Sequence, residues 1–290
     1  LIAMRAVPAC LMLVLLAPVP TRAEALRVFV SVPPQAGLVD RLGGELVEVE
    51  VMVPPGRSPA TYEPTPRQMA RLARARLYVR VGVPFERGFI GGLQKSHPEL
   101  RIVDQRAGIG LLTSDGKPLA GKDADAADHH VWLDPKRLGQ QAANIAGGLE
   151  AVDPGHAGVY RANLERLQAE LVALDARLTL LLAPFRGDEL FVFHPAYTYF
   201  AASYGLEQVA VETGGKEPSA RRLAALIDRA RRGGARVVFV QPQFSRKSAR
   251  LVAEAIGAAV LPMDPLARDV VANLEAMAIE VARTLAERGR

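Results

Sequence analysis

The feature that most constrains this chain is a single apolar stripe near its middle. Tyr160, Leu164, Leu167, Leu171, Leu174, Leu178 and Leu181 recur at alternating spacings of four and three, which is the period of one helix face. Asp153 and Pro154 supply an N-cap and a first-turn proline, and Pro184 stops the pattern. About 30 residues at the helical rise make roughly 45 Å, more than one small lobe requires. A coiled-coil partner would use such a stripe. So would a rigid connector between two lobes, and the patterns on either side favour the connector.

Both flanks read as β/α structure. On the first, residues 26–32, 47–53, 77–81 and 101–104 are short β-branched runs, and residues 66–75 form a helical stretch opened by Pro66. On the second, residues 189–193, 208–211, 236–241 and 258–261 predict strands. Residues 219–232 and 245–256 predict helices, the second ended by Gly257, and residues 273–288 predict a closing helix. Strands alternating with helices imply parallel sheets. The predicted fold class is therefore α/β, with two β/α lobes joined by one long rigid connector helix. The boundaries are a leader at 1–23, a first lobe at 24–152, the connector at 153–184 and a second lobe at 185–290. Residues 114–128 show no hydrophobic period and read as a solvated loop bearing Asp115, Asp123, Asp125 and Asp128.

The start of the chain predicts export. Arg5 precedes an uncharged apolar run over residues 7–19, and Thr21-Arg22-Ala23 follows with small residues flanking Arg22. The run is too short to span a bilayer, so it reads as a cleaved secretory signal peptide and the location as periplasmic. Cys10, the one cysteine, falls inside it. Any metal held by the mature chain must then use imidazole and carboxylate rather than thiolate. The formal charge is +5, with Arg and Lys scattered among Asp and Glu. No basic stripe with interleaved aromatics exists, which argues against nucleic acid as a partner.

The five histidines are His97, His129, His130, His156 and His194. His194 ends the apolar run 190–193, and Pro195 is positioned to open a helix. It therefore sits at the carboxyl end of a strand, where open α/β sheets bind ligands. Position alone leaves a ligand and a helix-capping residue equally open. His129 and His130 end the acidic loop, and neighbours on an extended segment point to opposite sides, so one at most enters a given site. A solvated pair is the simpler reading from this segment alone. Asp264 also follows a strand, although an aspartate before proline is ordinarily a turn residue. His97 falls in a polar turn before Pro98, and His156 lies near the start of the connector on the surface.

Taken together, several segments resemble the zinc- and manganese-binding solute-binding proteins of bacterial ABC importers. They are Val53-Pro54-Pro55-Gly56, Tyr62-Glu63-Pro64-Thr65-Pro66, His130-Val131-Trp132-Leu133-Asp134-Pro135, His194-Pro195-Ala196-Tyr197, Tyr204-Gly205-Leu206, Gln241-Pro242-Gln243-Phe244-Ser245 and Asp264-Pro265-Leu266. The resemblance implies metal in an interlobe cleft, with His130, His194 and Asp264 as three of four ligands. Histidine at 194, rather than the glutamate of manganese-type members, implies Zn2+ over Mn2+. The first ligand position is a departure, because Ala60 stands where the family carries histidine. Water can fill that place, His129 or Glu63 can substitute, or tight binding can be lost in favour of an adhesion or sensor role.

The expected function is thus binding, not catalysis. A monomeric extracytoplasmic protein would capture a divalent transition metal, zinc first, as a transported ligand for an ABC permease in the membrane. No catalytic and no cofactor-binding residue is assigned. An open three-ligand zinc site could also serve a hydrolase, but the chain has no His-Glu-x-x-His motif.

Overall fold

The computed structural model describes residues 24–120, 124–212, 219–244 and 246–287. The leader assigned to 1–23 lies outside them, as does Asp123.

Among the described residues, eight strands form two parallel four-stranded sheets. The first sheet contains β1 (Leu26–Val30), β2 (Val47–Val51), β3 (Leu77–Arg80) and β4 (Arg101–Asp104), in the order β2-β1-β3-β4. The second contains β5 (Glu189–Val192), β6 (Glu207–Ala210), β7 (Val237–Val240) and β8 (Ala259–Pro262), in the order β6-β5-β7-β8. Numbered within each lobe, both orders are 2-1-3-4, so the halves share one topology that their sequences do not display as a repeat. Central strands such as Val237–Val240 are buried along their whole length, as expected of parallel sheets covered on both faces.

Helices α1 (Pro33–Gly43), α2 (Pro66–Leu72), α3 (Glu86–Ser96) and α4 (Pro135–Val152) belong to the first half, and α5 (Ala157–Leu182) stands between the two sheets in the chain. The second half carries α6 (Thr198–Tyr204), α7 (Ala220–Arg232), α8 (Arg246–Ile256) and α9 (Val270–Ala286). Gly257 ends α8 with φ +72°, a left-handed turn that favours glycine.

The connector differs from its sequence reading in two ways. Asp153 closes α4, and residues 154–156 form a single 3-10 turn before α5 begins at Ala157. The long helix is therefore 26 residues, and the turn separates it from an antecedent helix packed against it. Its stripe also drifts. Tyr160, Leu167, Leu171, Leu174 and Leu178 are buried as expected, but the last buried position is Leu182, at 0% exposure, while Leu181 is 37% exposed. A strict seven-residue pattern runs ahead of a straight helix by about 20° per heptad, and over three heptads the core side moves one residue along.

Helix α5 is covered by α1, α4 and α9. Through it the main apolar core runs without interruption from Val28 and Leu77 of the first sheet to Leu190 and Phe239 of the second. A second, smaller core lies on the other face of the second sheet, under α7 and α8.

Candidate metal site between the two sheets

In the second half, four loops leave the carboxyl edge of the sheet, each carrying polar side chains. His194 follows β5 by two residues, Glu212 follows β6 by two, Gln241 and Gln243 follow β7, and Asp264 follows β8 by two. This is the edge at which open parallel sheets bind ligands. Pro195 does not open a helix. His194 and Pro195 lie in a turn, with the Ala196 amide donating to the His194 carbonyl, and α6 begins only at Thr198.

The first half contributes the end of its acidic loop. His130 precedes a 3-10 turn over Val131–Leu133, and its ring meets that of His194 edge to face, with 5.3 Å between centroids. Two histidines 64 positions apart in sequence thus face one another across the cleft.

Each imidazole is held the same way. Nδ1 of His130 lies 2.9 Å from Oδ1 of Asp128, which also accepts the His130 amide at 2.8 Å. Nδ1 of His194 lies 2.5 Å from Oε2 of Glu212. Both carboxylates are buried. A carboxylate on Nδ1 fixes the tautomer that leaves Nε2 with its lone pair exposed, the usual arrangement behind a metal-binding histidine. Burial would raise the Asp128 carboxyl, but the neighbouring His130 imidazole, its hydrogen bonds and that of Thr198 hold it below the ordinary carboxylate range. Burial pushes the His194 imidazole down, and the adjacent Glu212 offsets that only in part. His194 is accordingly neutral, as a ligand must be.

The segment 241–244, singled out in the sequence without a role, supports this edge. Gln241 accepts the His194 amide at 3.0 Å, Phe244 stacks on the His194 ring at 4.7 Å, and Gln243 donates to Oδ1 of Asp264 at 2.9 Å. Asp264 is further pinned by the Leu266 amide on Oδ1, and its carbonyl accepts from Asn273 of α9. Next to it, the indole of Trp132 donates to the Pro265 carbonyl at 2.7 Å, bringing the first lobe against the Asp264 turn. Among the described residues, however, no three His, Cys, Asp or Glu side chains form a group preassembled around one point. The imidazole pair is in place, and Asp264 turns one oxygen to protein donors.

The remaining sequence candidates are Ala60, Glu63, His129, His156 and His97. Ala60 and Glu63 are exposed on a cavity of about 500 Å³ in the first lobe, walled by Tyr62, Phe85 and Phe89. Among the described residues, Glu63 makes no hydrogen bond or ion pair with either imidazole. Among the described residues, His129 makes no hydrogen bond to His130 or His194. Its Nδ1 is buried without a hydrogen-bond partner among the described residues, and burial lowers it to about 4. His156 pairs with Asp153, and His97 caps α3. Sequence reasoning missed Asp128, Glu212 and Gln243. Asp128 lies two residues before His130 and was legible in principle, whereas Glu212 reaches His194 only through the pairing of β5 with β6.

Known proteins carry the same architecture. Residues 28–288 match the family described as zinc-uptake complex component A, periplasmic. The high-affinity zinc uptake system protein ZnuA of Paracoccus denitrificans is 30% identical over 275 residues, covering 82% of each chain. A crystal structure of ZnuA superposes with a TM-score of 0.83 at 38% identity, over 90% of this chain and 100% of that one. A zinc-bound ZnuA deletion mutant gives 0.82 at 39%, over 90% and 98%. Among the described residues, no helix is long and apolar enough to cross a membrane. The chain belongs to the family of periplasmic zinc-uptake component A proteins, which bind metal for an ABC importer and are not enzymes.

Proposed function

We propose that this protein captures one Zn2+ ion in the cleft through Nε2 of His130, Nε2 of His194 and a carboxylate oxygen of Asp264. A water molecule takes the place left by Ala60, completing a four-coordinate site with ligand distances of roughly 2.0–2.2 Å. The supporting observation is the facing pair of imidazoles from different lobes, each tied through Nδ1 to its own buried carboxylate. Two imidazoles favour zinc over manganese. The mature protein, freed of residues 1–23, acts as a monomer and presents the loaded cleft to the permease. Substitution of the missing ligand by His129 or Glu63 is the weaker alternative. Among the described residues, neither side chain is tied to the imidazole pair by a hydrogen bond.

Calorimetric titration of metal-free protein with zinc and manganese tests this reading. His130→Ala, His194→Ala and Asp264→Ala should each weaken zinc by at least about tenfold, and Ala60→His should strengthen it by a similar factor. Zinc affinity indifferent to all three alanine substitutions would overturn the assignment.

A further inference from the structure

The contacts of Asp264 separate its two oxygens. Oδ1 accepts two hydrogen bonds, from Nε2 of Gln243 at 2.9 Å and from the Leu266 amide at 2.9 Å. A carboxylate oxygen offers about two lone-pair sites, so Oδ1 is filled. Among the described residues, Oδ2 receives no hydrogen bond. The backbone beside the carboxylate is fixed, the Asp264 carbonyl by Asn273 at 2.8 Å and the next carbonyl, of Pro265, by Trp132 at 2.7 Å. The Leu266 amide belongs to the Asp-Pro turn itself and comes with the local chain geometry. Gln243 is different. It reaches in from the loop after β7, and its donor is a side-chain choice.

We infer that Gln243 is a metal-specificity residue, whose bond to Oδ1 restricts Asp264 to a single coordinating oxygen. The inference rests on the reading of Asp264 as a ligand. One carboxylate oxygen, two imidazole nitrogens and a water make the four-coordinate shell that zinc adopts. Larger cations that prefer oxygen, manganese among them, gain from a carboxylate that contributes both oxygens and raises the coordination number. With its lone pairs occupied, Oδ1 is withheld from such an ion. The discrimination is therefore built in as a penalty on the wrong metal rather than as a further contact with the right one.

The test compares wild type with Gln243→Ala and with Gln243→Met, which keeps the length and bulk of the side chain but has no donor. Titration with zinc and with manganese gives the affinity ratio, and the visible absorption of Co2+-loaded protein reports the coordination number. Removing the donor should shift the manganese-to-zinc affinity ratio toward manganese by about tenfold, and should replace the intense bands of four-coordinate cobalt by the weak bands of a higher-coordinate ion. If both variants keep the wild-type ratio and the wild-type cobalt spectrum, Gln243 does not set specificity and the inference fails while Asp264 stands as a ligand. If zinc binding is unaffected by Asp264→Ala, the ligand assignment falls and takes this inference with it.

Discussion

His129 and His130 show how far one residue of offset separates two roles. Both belong to the same short segment, yet His130 rests on Asp128 and faces His194, while the Nδ1 of His129 is enclosed without a partner. A buried, neutral imidazole whose pKa is lowered to about 4, against 6.5 for the ordinary group, is a pH liability. The unfolded chain takes up a proton as pH falls below 6.5 and the folded chain does not until about 4. Stability from this group is complete above pH 6.5, is lost progressively between 6.5 and 4, and is level below that. The loss is on the order of 3 kcal/mol. His129→Phe should therefore flatten the pH dependence of chemical denaturation of metal-free protein over that interval, without weakening zinc binding at pH 7. A zinc affinity that falls tenfold or more in this variant would instead make His129 the substitute ligand. The local pattern marked the His129-His130 pair without saying which member faced the cleft, and only the family resemblance pointed to His130. That choice depends on the placement of Asp128 and on the opposite lobe, neither of which a local pattern contains. The same limit applied to Glu212, whose partner is set by strand register, and to Gln243, whose partner lies 21 residues away on another strand end.

At the scale of elements, the connector was the most legible part of the chain, because a helix with one buried face writes its period into the sequence. Its break at 154–156 was less so. The same Asp-Pro pair that can cap a long helix can also end one and start another, and only the packing of α4 on α5 decides between them. Strand positions were legible to within a residue or two, since apolar runs bounded by turn residues leave little room for alternatives. Sheet order was not, because parallel pairing is made by crossovers. The connector carries a specific consequence. Leu174 is fully buried in a core that reaches both sheets, whereas Leu180, six residues further along, is 78% exposed. Leu174→Ala should cost about 2–5 kcal/mol and should lower the melting temperature of both halves together as one transition. Leu180→Ala should change stability by less than about 0.5 kcal/mol. Differential scanning calorimetry distinguishes this from two independently melting lobes, in which case Leu174→Ala would split the endotherm.

For the whole molecule, the question is what sets the distance between the lobes, since the imidazole pair depends on it. Beyond α5, several contacts tie the two halves directly. Asp128 accepts from Thr198, Trp132 donates to Pro265, Asp134 accepts from Ser203, and Arg268 forms a two-bond ion pair with Asp40. A close backbone approach lies on the side of α1, where the helix passes the segment leading into α9. A Cβ placed on Gly37 would lie 1.9 Å from the Arg268 carbonyl oxygen and 2.9 Å from its carbon. Backbone atoms cannot turn aside as a flexible side chain can, so any larger residue must push the segment before α9 away from α1. That segment begins at Asp264, and its displacement would be felt at the carboxylate while leaving His130 and His194 on their own supports. Gly37→Ala should therefore keep the fold and both sheets but weaken zinc by about tenfold or more, through loss of the Asp264 contribution. Gly44→Ala serves as the control. That glycine lies at the end of the same helix with nothing within 4 Å of an added Cβ, and its φ of +53° gives a local backbone cost but no clash between halves. If the two variants bind zinc equally well, the approach of α1 to the Arg268 segment does not set the cleft, and the ties through Thr198 and Pro265 suffice to hold it.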